Sequence, residues 1–286
     1  MRIGGVPEHF NLPWQLAIEE GFFKEFSPGG ENIPLEWTDF PGGTGAMTKA
    51  LRNGELDLAL LLTEGIVADI VNGNDTRLLK IYVQSPLNWG IFVNDLSDIQ
   101  SVDDLAGKRY AVSRMGSGSH LMACVNALQH GWNPAELPFV PLQNLDGMRR
   151  GLRNDEADTF MWEKVMTQPH VDSGELRRVG VCPTPWPCFV LAARREIIER
   201  EPEKLKAICE GINAFCRDFK SRPDLAGIIA DLYQLPYPDV QQWLQETEWA
   251  TGNTIDLPML ENVMDTLLAA GVIAKKIPAD ELVWKG

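Results

Sequence analysis

Apolar residues along the first 200 positions come in short bursts, separated by stretches with helical spacing. Ile3 to Val6, Pro34 to Thr38, Leu58 to Leu62, Leu78 to Val83 and Gly90 to Val93 read as strands. The run from Leu58 is apolar without a break, the pattern of a parallel strand buried on both faces. Asn11 to Phe23, Ala46 to Leu51 and Ile66 to Val71 carry helical spacing, although Glu20 interrupts the face made by Leu12, Leu16 and Phe23. Thr63-Glu64-Gly65 reads as the break after the third strand.

The same alternation then begins again. Ser101 caps a helical turn running to Leu105. Arg109 to Ser113, Phe139 to Leu142 and Thr159 to Trp162 read as strands, the last ending in Glu163-Lys164. Leu121 to Gln129 and Leu145 to Leu152 read as helices. Cys188 to Ala193 is an apolar strand placed to return to the first sheet. From Pro202 the pattern is helical, with breaks at Pro223, Pro236-Tyr237-Pro238 and Pro258, a tail expected to pack on the first domain. The expected class is α/β, with mostly parallel sheets carrying helices on both faces. No fixed-period repeat or low-complexity segment is visible.

Two glycine-rich stretches sit at strand-to-helix steps: Phe40-Pro41-Gly42-Gly43-Thr44-Gly45 and Ser113-Arg114-Met115-Gly116-Ser117-Gly118-Ser119-His120. Backbone N–H groups at a helix start are unpaired and the dipole is positive there, so such turns hold anions or polar ligand heads. Two of them in separate α/β segments predict a ligand gripped from two sides.

Composition narrows the classes. At 286 residues and 44% hydrophobic content, the chain has enough core for more than one domain. A net charge of −14 speaks against nucleic-acid or anionic-membrane partners, which need a basic face. Arg149-Arg150, Arg177-Arg178 and Arg194-Arg195 are too short to reverse this and read as solvated surface. No stretch approaches the ~20 apolar residues of a membrane span. Met1 to Val6 runs directly into a strand, so the expected location is cytoplasmic, or periplasmic if a leader has been removed. Cys124, Cys182, Cys188, Cys209 and Cys216 are odd in number and form no CxxC pair, so free thiols are expected and neither a disulfide scaffold nor a zinc site. Cys209 and Cys216 share one helical face.

Several motifs resemble a known family. Gly5-Val6-Pro7, Leu16-Ala17 before Gly21-Phe22-Phe23, the first glycine-rich stretch and Ala50-Leu51-Arg52-Asn53-Gly54-Glu55-Leu56-Asp57-Leu58-Ala59 are similar to type II periplasmic-binding-protein-like sequences. Ser101 to Arg109 resembles that family's second-domain start, and Gly151-Leu152-Arg153-Asn154-Asp155-Glu156-Ala157-Asp158 its second helix-to-strand step. The resembling branch binds aliphatic sulfonates, nitrate or thiamine precursors, and the likeness is to a subgroup that often lacks an export signal. It implies two Rossmann-like lobes joined by two crossover strands, residues 1–92 with 190–286 and residues 93–189, closing on a ligand cleft.

In open α/β sheets ligands sit beyond the carboxyl ends of the strands. The first lobe then offers Glu8, His9, Gly43, Thr44 and Glu64, and the second Ser113, Ser117, Gly118, Ser119, Trp162 and Glu163, with Trp89 near the crossover. Thr44 and the Ser117-Gly118-Ser119 group are either ligand donors or caps of their own helices. Glu64 and Glu163 either meet a cationic or N–H-rich ligand group or sit exposed in loops. Trp89 and Trp162 either stack on a flat heterocycle or pack in the core; for Trp14 and Trp186, core or hinge packing is expected. His9 and His120 lie at ligand loops, whereas His130 and His170 read as surface residues. No G-x-S-x-G or HExxH motif supports catalysis, and no cofactor or metal is expected. The leading reading is a solute-binding protein of ABC-transporter type, with a permease as possible partner. The alternative is an enzyme on the same fold. The thiamine-pyrimidine synthase relative holds pyridoxal phosphate and a clustered cysteine motif, which Cys182-Pro183-Thr184-Pro185-Trp186-Pro187-Cys188 does not match.

Overall fold

The computed structural model describes residues 1–30 and 33–286. The chain forms two compact units. The first contains residues 1–85, 186–264 and 275–286, and the second residues 86–185 and 265–274.

In the first unit, β1 (Arg2–Gly5), α1 (Leu12–Glu19), β2 (Glu36–Asp39), α2 (Gly43–Arg52), β3 (Leu58–Leu62), α3 (Thr63–Val71) and β4 (Thr76–Val83) follow one another. In the second come β5 (Asn88–Asn94), β6 (Tyr110–Val112), α4 (Gly118–Gln129), β7 (Phe139–Pro141), α5 (Leu145–Arg153), β8 (Thr159–Glu163), α6 (Gln168–Asp172) and β9 (Leu176–Pro183). The chain then adds β10 (Phe189–Arg194), α7 (Arg195–Arg200), α8 (Pro202–Phe219), α9 (Leu225–Tyr233), α10 (Tyr237–Glu246) and α11 (Leu257–Ala269).

Each unit carries a five-stranded sheet, ordered β2-β1-β3-β10-β4 and β7-β6-β8-β5-β9. Four strands of each run in one direction, and the fourth in the order, β10 or β5, runs antiparallel to both its neighbours. The expected α/β class with mostly parallel sheets is the observed one. The return of Cys188 to Ala193 to the first sheet is also observed, with Val190 opposite Leu61. Leu58 to Leu61 are fully buried, as an unbroken apolar run between two strands requires.

Local chemistry accounts for the termini. The Gly54-Glu55-Leu56-Asp57 step ends α2 with Gly54 at φ +71°, then lets Asp57 accept from the Arg2 backbone N–H at 2.9 Å and from its guanidinium at 2.7 Å. Asp158 does the same for Arg109, at 2.7 Å and 2.8 Å. In both units the motif aspartate, one position before its strand, pins the arginine at the start of the neighbouring parallel strand. Ser101 and Asp104 form the expected capping box.

The structure differs from the sequence reading at several points. α1 stops at Glu19, because Gly21 adopts φ +64° and a 3-10 turn over Phe22–Phe26 follows. Thr63-Glu64-Gly65 is no break but the first turn of α3, and Gly43-Thr44-Gly45 likewise opens α2. Both were hidden because helix starts need only a few free N–H groups and no apolar signal. All of β5 pairs in the second sheet, so the chain passes over after Ser85 rather than after residue 92, and returns at Trp186. Residues 265–274 group with the second unit, not the first. Leu267 and Ile273 are buried there, and periodicity reveals a buried face but not its neighbour.

β9 was not visible in the pattern. It is an edge strand whose Arg177 and Arg178 break the apolar run. Nor are the paired arginines plain solvated surface. Arg177 donates to the carbonyls of Asp95, Ser97 and Ile99, Arg149 pairs with Glu175, and Arg195 with Asp75. All five cysteines are free and buried, and Cys209 and Cys216 lie on the buried face of α8.

Candidate functional site

The carboxyl edge of the first sheet is assembled from three strand ends. After β1, Glu8 precedes a short 3-10 turn and His9 turns inward. The imidazole is fully buried, with ring centroids 4.1 Å from Trp243, 4.7 Å from Phe10 and 5.9 Å from Tyr233. Neither ring nitrogen has a partner among the described residues, and burial pulls the group down to about 3, so it is neutral. His9 therefore sits in an aromatic cluster, not at an open surface.

After β2, Gly43 takes φ +65° at the first position of α2. Thr44 Oγ1 accepts from the Leu62 N–H at 3.2 Å, which ties the start of α2 to the end of β3. A Cβ on Gly65 would lie 2.4 Å from the Thr44 methyl, so only glycine lets the starts of α2 and α3 meet. Thr44 thus anchors its own helix.

Glu64, in the first turn of α3, is 1% exposed. Its Oε2 accepts the indole N–H of Trp186 at 2.9 Å, while Oε1 is buried with no hydrogen-bond partner among the described residues. Burial pushes the carboxyl up to about 7. The returning segment is stapled to the same turn: Thr63 N–H donates to the Cys188 carbonyl at 3.0 Å and Thr63 Oγ1 to the Pro187 carbonyl at 2.5 Å. The pairing of Trp186 with Glu64 leaves no local trace in the chain, because the two lie 122 positions apart.

The second sheet builds its carboxyl edge from β6, β8 and the start of β5. Ser117 caps α4, its Oγ accepting from the His120 N–H at 3.3 Å, and Gly118 is the first helical residue. Ser119 Oγ accepts from the Ser113 N–H at 3.0 Å and lies 3.0 Å from Ser117 Oγ and 3.4 Å from Ser113 Oγ. The three hydroxyls form one chain at the mouth of a 12-residue helix. Of the two alternatives for Ser117, the structure shows the cap, and Ser119 carries a second hydroxyl at the same mouth.

His120 Nδ1 accepts from the Gly116 N–H at 3.1 Å, so the neutral ring carries its proton on Nε2, 3.9 Å from Cys124 Sγ. That tautomer offers no base to Ser117 or Ser119.

Glu163 ends β8 directly opposite Trp89 of β5. Its Oε2 accepts from the Met166 N–H at 2.6 Å, which caps the following turn, and burial pushes this carboxyl also up to about 7. The exposed-loop alternative for the two glutamates fails, since both are buried where their strands end. Trp89 is 5% exposed and its Nε1 has no partner among the described residues. Trp162 points to the other face and packs on the cluster of Phe92, Met148, Leu152 and Phe160, which places it against the core. Among the described residues no group of three or more His, Cys, Asp or Glu side chains is placed to hold a metal ion, and no helix is long and apolar enough to cross a membrane.

Residues 89–182 match the family model described as Ca3427-like PBP. The Candida albicans CA3427 gene product, whose structure defines a family with the generic periplasmic-binding-protein fold, superimposes with a TM-score of 0.88 at 26% identity, over 98% of this chain and 92% of that one. The chain has the periplasmic-binding-protein fold. Other proteins of this fold are also similar to it. The alkanesulfonate-binding protein SsuA from Xanthomonas axonopodis pv. citri, bound to MOPS, gives a TM-score of 0.82 at 17% identity, covering 99% of this chain and 97% of the other, a likeness of fold alone. A Bacillus subtilis protein named as aliphatic sulfonates-binding is 24% identical over 262 residues, 90% of this chain and 75% of the relative.

Proposed function

We propose that this periplasmic-binding-protein-like chain captures a small polar solute with an anionic head, a sulfonate being the class favoured by its relatives, and releases it unchanged. The observation that carries the reading is the start of α4. Ser113, Ser117 and Ser119 present linked hydroxyls where the helix dipole is positive, at the carboxyl edge of the sheet. Relatives of this fold include proteins that bind alkanesulfonates. A thiamine-precursor pyrimidine is the second reading, favoured by the Glu64 carboxyl, whose free oxygen suits a ring amine. Delivery to an ABC permease belongs to the same proposal, as does residence in the cytoplasm or the periplasm.

Titration calorimetry with ethanesulfonate and MOPS tests the sulfonate class. Replacing Ser117 and Ser119 together by alanine is expected to weaken binding by roughly 1–3 kcal/mol, the worth of hydrogen bonds to a charged group in a buried site. An unchanged titration makes the turn structural only, and no binding of either sulfonate at millimolar concentration refutes the class.

A further inference from the structure

We infer that the solute carries an N–H donor, an amine or ring amino group, and that Glu64 is the residue that selects for it; this rests on the solute-binding reading above. The argument lies within the first unit. The other backbone groups at the first turns of α2 and α3 are N–H donors, of which those of Gly43 and Thr63 are already taken by the Phe40 and Cys188 carbonyls. Glu64 is the exception. Its Oε2 is held by the Trp186 indole at 2.9 Å, so the carboxyl cannot rotate away without orphaning that N–H. Its Oε1 remains buried and unsatisfied. Sequestering an acceptor in this way is costly unless something supplies its hydrogen bond.

The acceptor stands one residue before Gly65, against whose backbone Thr44 packs. The anion-favouring start of α2 and the carboxylate of α3 are therefore neighbours in one unit. That pairing suits a molecule with both signs of polarity: a sulfonate bearing an amine, or a heterocycle bearing an amino group. A plain alkanesulfonate would satisfy the helix starts and leave Oε1 as it is.

Glu64→Gln is the decisive variant. The Trp186 N–H still needs an acceptor, so the amide oxygen turns to it and the NH2 group takes the place of Oε1. A donor then faces a donor. The test uses two matched pairs at pH 8, ethanesulfonate against 2-aminoethanesulfonate and pyrimidine against 4-aminopyrimidine, titrated into wild type and Glu64→Gln. In whichever pair binds, the amino compound is expected to bind about tenfold tighter or better to wild type, and the variant to bring that ratio close to one, since a site built to accept an N–H rejects the analogue lacking it. A ratio of one in wild type, or a ratio that survives in Glu64→Gln, overturns the inference while leaving solute binding standing. Binding of the aminopyrimidine without either sulfonate refutes the sulfonate class and keeps the role of Glu64. Binding of a sulfonate but of no amino compound overturns the inference alone, and binding of no compound in either pair overturns both.

Discussion

Glu64→Gln also has a stability signature that is independent of any ligand. Burial raises the folded-state carboxyl from its ordinary 4.5 to about 7. The unfolded chain therefore gives up this proton at lower pH than the folded one, and binds fewer protons across that window. Stability contributed by the group is then intact below the unfolded value and falls as pH rises toward 7, levelling off above it. With those two values, ionisation costs wild type about 1 kcal/mol at pH 5 and about 3 kcal/mol at pH 8. Glutamine keeps the acceptor for Trp186 and has no proton to lose, so its own burial cost is the same at every pH. Relative to wild type, Glu64→Gln is expected to gain roughly 2 kcal/mol between pH 5 and pH 8. Urea unfolding of both proteins at pH 5, 6, 7 and 8, read by tryptophan fluorescence, measures this directly. Glu163 titrates in the same range but is common to both proteins and cancels. A stability difference that does not change with pH would show that the carboxyl is not sequestered as the structure has it, and the argument for an unsatisfied Oε1 would fall with it.

Two further outcomes follow from other buried or paired groups. His9 is held neutral by burial, with a folded value of about 3 against an ordinary 6.5, so protons bind the unfolded chain first and stability falls as pH drops through that window; about 3 kcal/mol should be lost between pH 7 and pH 4, and His9→Leu should flatten that limb in acid-unfolding curves. Asp57→Asn and Asp158→Asn each weaken charge-assisted bonds to an arginine at a strand start, and each should lower stability by roughly 1–3 kcal/mol in urea titrations, with the effect smaller in high salt.

What the sequence revealed follows from which interactions leave a local trace. The parallel strands were legible because a buried strand needs an unbroken apolar run, as in Leu58 to Leu62. The edge strand β9 was not, because one side of it needs no cover and arginines reaching nearby carbonyls fit there. The candidate positions were found from strand ends and glycine-rich steps, which are local features. Their environments were not, since Glu64 depends on Trp186, 122 positions away, and His9 on Trp243, farther away still.

The two sheets bear on how that site should be read. β1, β2, β3, β10 and β4 correspond in order and direction to β6, β7, β8, β5 and β9. The pinned arginine and aspartate recur as Arg2 with Asp57, 55 positions apart, and as Arg109 with Asp158, 49 apart. Unequal spacing explains why no fixed period was visible although the architecture repeats. The equivalent central strands lead into Glu64 and Glu163, two carboxyls raised by burial to about the same value. They differ in what answers them. Glu163 is taken up by backbone N–H groups of its own turn, which any chain can supply. Glu64 is met by its own backbone N–H and by the Trp186 indole, and its Oε1 has no hydrogen-bond partner among the described residues. Glu163 is the last residue of β8, whereas Glu64 lies just past β3 in the first turn of α3, so the two carboxyls are neighbours of matching strand ends, not matching positions. The one left short of a donor is the one an external molecule has to complete, and the selectivity of this protein should respond to changes at Glu64 far more than at Glu163.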